Sequence, residues 1–139
     1  MTETITVRSP YDNEVIGQIP AMTADDVDRA VATAKHALHA NPLPLWKRAE
    51  ILDRAAARLT ERREEFARII AREAAKPIKT ARVEAERAVG TFQFAAAEAR
   101  TLSGEMIPLD AIPSGEGKLG FTLRVPIGVV GAIAPFNFP

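Results

Sequence analysis

The stretch Arg124-Val-Pro-Ile-Gly-Val-Val-Gly-Ala-Ile-Ala-Pro-Phe-Asn-Phe-Pro139 decides how this chain is read. From Ile127 to Ala134 it is apolar at odd and even positions alike, interrupted only by Gly128 and Gly131 and carrying no charge. A strand with one wet face alternates apolar and polar residues, so a run that is apolar on both sets predicts a strand covered on both sides inside an α/β sheet. Such a strand needs neighbours, and parallel neighbours arrive through crossovers of about a dozen residues or more. Only Pro135 to Pro139 follow it. The sheet is therefore expected to be encoded elsewhere, and the sequence is expected to end mid-fold.

Working back from that run, Leu119, Phe121, Leu123 and Val125 alternate with Gly120, Thr122 and Arg124. This is the two-residue period of a strand with one buried face. Ser103-Gly104-Glu105 and Pro113-Ser-Gly-Glu-Gly117 punctuate the stretch before it, because glycine and proline supply turn dihedrals and interrupt helical hydrogen bonding. Four helices are predicted earlier still. Thr23 and Asp26 have the spacing of a capping box, followed by Val27, Ala30, Val31, Ala34 and Leu38 on one face until Asn41 and Pro42. Pro44 opens a second helix with the stripe Leu45, Ala49, Leu52, Ala56 and Leu59, and Trp46 is expected to anchor it to a core. Thr60 is expected to cap a third helix that turns Phe66, Ile69 and Ile70 inward and ends by Pro77. From Thr80 to about Arg100 a fourth carries Val89, Phe92, Ala96 and Ala99 along one side. The four are expected to form one packed layer. At the start, ITVRSP and EVIGQIP flank Tyr11, Asp12 and Asn13, which predicts a hairpin. Two strands alone are marginal in water, so that hairpin is expected to meet a partner surface.

Composition narrows the function classes. A chain of 139 residues with 47% hydrophobic residues can bury one sizeable core. Eighteen basic residues balance eighteen acidic ones and are interspersed with them, which gives no support to nucleic-acid or anionic-membrane binding. No cysteine is present, so disulfides, thiolate zinc sites and thiol nucleophiles are excluded from this chain. No secretory leader or membrane-length apolar run is read, and the expected compartment is the cytoplasm. His36 and His39 lie three apart without a third ligand and read as solvated, so no metal is expected. Glu84 and Glu86, two apart on a helix, point in different directions and read as surface charges.

The segment RVPIGVVGAIAPFNFP resembles the strand and loop that open the cofactor domain of the aldehyde dehydrogenase superfamily. A proline, then Gly-Val-Val-Gly, then Pro-Phe-Asn-Phe-Pro is a compound pattern, far more restrictive than a lone glycine motif. SPYDNEVIGQIP, PLPLWKRAEIL and EAAKPIKTARVEAERAV stand in the order the family uses, so the resemblance covers nearly the whole chain. Ala75 departs from it, since similar enzymes usually carry glycine before Lys-Pro.

The resemblance implies an α/β fold of which this chain holds the amino-terminal part. That part comprises an oligomerisation hairpin (1–20), the helical part of the cofactor domain (21–101), an irregular connection (102–118), an oligomerisation strand (119–126), and the first strand and loop of the Rossmann-like cofactor-binding sheet (127–139). It implies an NAD- or NADP-dependent enzyme oxidising an aldehyde to a carboxylic acid through a cysteine thiolate, as a homo-oligomer, dimer or tetramer. In that reading Asn137 is catalytic, its side-chain amide donating to the oxyanion. Ala134, Pro135, Phe136 and Asn137 lie against the nicotinamide cofactor, and Phe138 lies near the substrate tunnel. The bland alternative for Asn137 is a turn residue bonded to its own backbone. The cysteine, general base and phosphate-binding glycine turn would lie beyond Pro139, so the chain alone is expected to be inactive. KPIKTARVEAERAV is similar to members acting on small, hydroxylated or anionic aldehydes such as lactaldehyde or phosphonoacetaldehyde. Two alternatives stay open: a helical interaction or oligomerisation module, and a coenzyme A-acylating member of the same superfamily.

Overall fold

The computed structural model of the chain describes residues 3–135. The expected hairpin is present: β1 (Thr4–Arg8) pairs antiparallel with β2 (Val15–Pro20), Thr4 opposite Pro20. The register slips between Val7 and Arg8, which face Gly17 and Val15, so Ile16 is the extra residue of a bulge. The turn closes through Asn13 at φ 61°, a left-handed conformation that a short polar side chain tolerates. Its backbone N–H donates to the Ser9 carbonyl at 2.9 Å, and the Ser9 N–H donates to the Glu14 carbonyl at 2.8 Å.

Helix α1 (Ala24–Ala40) starts on the expected capping box. The Asp26 N–H donates to Thr23 Oγ1 at 3.3 Å, and the Thr23 N–H donates to Asp26 Oδ2 at 2.8 Å. Two of the four N–H groups that a helix start leaves without partners are satisfied reciprocally. Three further helices follow: α2 (Leu45–Glu61), α3 (Arg63–Ala74) and α4 (Ile78–Thr101).

The core lies where α2 and α3 meet α4. It is built from small residues: Ala49 and Ala56 of α2, Ala67 of α3, and Ala81, Ala85, Val89 and Ala96 of α4. Alanine at each crossing lets the helix backbones approach closely, while Phe66, Ile70 and Ala71 fill the flank. The layer therefore contains three helices, not four. Helix α1 buries no residue, and Val27 and Val31 of its stripe stand exposed. An apolar stripe is covered only where another element packs on it, and of this one only Leu38 is half-buried, facing the segment 126–130 across a cleft.

Two local expectations are corrected as well. Trp46 is 65% exposed, because it sits about 100° around α2 from Leu45 and hence off the Ala49–Ala56 line. Thr60 caps nothing: it lies inside α2, where its hydroxyl donates to the Ala56 carbonyl at 2.9 Å. Helix α2 runs on to Glu61, and α3 is entered through Arg62, whose guanidinium pairs with Glu65.

Residues 102–118, expected to be an irregular connection, form a loop closed on itself. Strand β3 (Met106–Ile107) pairs antiparallel with β4 (Gly120–Phe121), with short 3₁₀ turns at Leu109–Ala111 and Pro113–Gly115 between them. The Thr122 N–H donates to the Glu105 carbonyl and the Glu105 N–H to Thr122 Oγ1, both at 2.8 Å. Gly104 permits this closure, since a Cβ there would lie 1.7 Å from the Thr122 carbonyl oxygen. The strand expected over 119–126 thus shrinks to Gly120–Phe121. The run 127–134 belongs to no sheet among the described residues, and Ile127 and Ile133 are 94% and 96% exposed. A ladder is made between strands, so a strand-forming sequence without a neighbour has no hydrogen bonds to define it.

Candidate functional site

Of the residues expected to form the site, Ala134 and Pro135 are described and both are exposed. Phe136, Asn137 and Phe138 lie outside the described residues, so their roles rest on the sequence motif. Gly128 adopts φ +123°, a backbone conformation that favours glycine. Pro126, Gly128, Val129 and Val130 face the carboxyl end of α1 and the Asn41–Leu43 connection across an open cleft of 880 Å³. Arg48 forms part of its rim, its Nε donating to the Leu43 carbonyl at 2.7 Å.

Glu84, expected on the surface, is 8% exposed and accepts from Lys76 Nζ at 2.8 and 3.1 Å. The turn between α3 and α4 brings Lys76 back over the first turns of α4, a contact across a chain reversal that helical spacing alone does not register. Glu86 is exposed, as expected, and pairs with Arg63. The Arg82 guanidinium, at 2.9 Å, holds the Glu64 carboxyl below the usual carboxylate range. At the start of α1, the backbone N–H and hydroxyl of Thr23 do the same for Asp26. No group of three His, Cys, Asp or Glu side chains able to hold a metal occurs among the described residues. No helix among them is long and apolar enough to cross a membrane.

Comparison with known proteins meets this geometry from outside. The family model described as "Aldehyde dehydrogenase family" matches residues 1–139. The 3-sulfolactaldehyde dehydrogenase of Priestia megaterium is 44% identical over 137 residues, covering 99% of this chain and 28% of that protein. The lactaldehyde dehydrogenase of Methanocaldococcus jannaschii is 45% identical over 138 residues, again covering 99% of this chain and 28% of that protein. Among solved structures, the glyceraldehyde-3-phosphate dehydrogenase GapN of Methanocaldococcus jannaschii, complexed with NADP, superposes with a TM-score of 0.89 at 42% identity. That match covers 100% of this chain and 29% of the solved one. The chain thus spans somewhat over a quarter of the length of the relatives it matches, and its hairpin and helical layer are those of the amino-terminal part of their α/β fold.

Proposed function

This chain belongs to the aldehyde dehydrogenase family, and on that footing we propose that it forms the amino-terminal part of an NAD- or NADP-dependent enzyme oxidising a small aldehyde to a carboxylic acid. The observation that carries the proposal is the Pro135-Phe-Asn-Phe-Pro139 loop at the carboxyl end of a two-sided apolar run. Ligands of open α/β sheets bind outside the carboxyl ends of the strands. Ala134 and Pro135 are small and exposed, leaving room for a planar ring against their backbone. The nicotinamide cofactor, when bound, would accept the hydride.

Within this chain the chemistry falls to Asn137. Attack on an aldehyde carbon places negative charge on the carbonyl oxygen, and a prepositioned N–H donor stabilises that charge by about 3 kcal/mol. The attacking thiolate must come from outside the chain, which has no cysteine. Phe138 would line the substrate approach. The names of the two relatives support a small, hydroxylated or anionic aldehyde as substrate. The hairpin and the segment 119–126 would serve a homo-oligomer.

A chimera tests the role of Asn137. Residues 1–139 replace the aligned portion of the Methanocaldococcus jannaschii lactaldehyde dehydrogenase, and Asn137→Ala is compared with its parent. Turnover should fall roughly a hundredfold, because the donor acts on the transition state, while cofactor affinity stays nearly unchanged. Near-parental turnover in the variant would return Asn137 to the role of a turn residue.

A further inference from the structure

We draw no further inference here: the strongest candidate, the apolar cleft between the carboxyl end of α1 and the segment 126–130, is an uncovered face, and nothing in the structure shows what sits on it.

Discussion

Ala75 ends α3 at φ 50°, ψ 37°, where the Cβ of an L-residue crowds the following carbonyl. Glycine has no such penalty and is the usual residue at this position beyond a helix end. Ala75 thus adopts a left-handed turn at an energetic cost that a glycine there would not carry. Ala75→Gly should stabilise the chain by about 1 kcal/mol in urea unfolding, the relief of strain exceeding the extra chain entropy. An unchanged or lower midpoint would mean that the left-handed turn is not strained. The neighbouring Lys76–Glu84 pair is the opposite case, a contact the sequence concealed. Its partners are eight residues apart on either side of a corner, and the helical spacing of Glu84 and Glu86 spoke only to each other. Because Glu84 is buried, Lys76→Met leaves a carboxylate without its partner and should cost on the order of 3 kcal/mol. Adding Glu84→Leu should recover most of the loss, since two apolar groups can replace a buried pair. A single Lys76→Met variant as stable as the parent would show that the pair contributes nothing.

Each helix begins and ends close to where the local sequence places it, because caps and breakers act over three or four residues. Thr23 and Asp26 announced α1 correctly, and Asn41 and Pro42 announced its end. Thr60 misled because its cap role required an extended residue between α2 and α3, and the chain supplies a single tight corner at Arg62 instead. Packing was less legible than boundaries: nothing within α1 tells whether its apolar stripe has a partner in the same chain. The cap has a pH signature whose sign follows from its hydrogen bonds. The Asp26 carboxyl is held below its ordinary value of 3.8 in the folded chain, chiefly by the Thr23 backbone N–H. A depressed folded value means that the contribution is fully present above the unfolded carboxylate value and is lost as the pH falls through the folded one. Protection of the first-turn amides of α1, taken relative to their intrinsic exchange rate at each pH, should therefore fall on acidification below about pH 4, and Asp26→Asn should flatten that dependence. Parallel acid profiles for the two proteins would dissociate the cap from the carboxylate.

At the scale of the molecule, the accessible surface is 11324 Å² for 15.1 kDa, against roughly 7,100 Å² for a folded monomer of that mass. Large apolar residues stand open at Val27 and Val31 of α1, from Leu119 to Val125, and from Ile127 to Ile133. An apolar segment that joins no sheet among the described residues and carries no charge between Val125 and Pro135 offers a site for strand-like self-association. Residues 1–139 should associate with rising concentration, and ending the chain near Pro113 should relieve it. Size-exclusion chromatography with light scattering decides this, and a monodisperse monomer of residues 1–139 at high concentration would sink the idea. The two-sided run predicts a strand, and the described residues form none there, since hydrogen-bonded neighbours are a property of other segments. The expectation for Asn137 rests on the motif alone: composition and periodicity by themselves would leave it an ordinary loop asparagine.

The claim that this chain supplies the amino-terminal part of an aldehyde-oxidising enzyme is tested most directly by lactaldehyde-dependent reduction of NAD or NADP, followed spectrophotometrically. The assay compares residues 1–139 alone with the chimera in which they replace the aligned portion of the Methanocaldococcus jannaschii enzyme. The chimera should turn over, and the chain alone, which has no cysteine to provide a thiolate, should not. A correctly folded chimera without turnover, or cofactor reduction by the chain alone, would contradict the account.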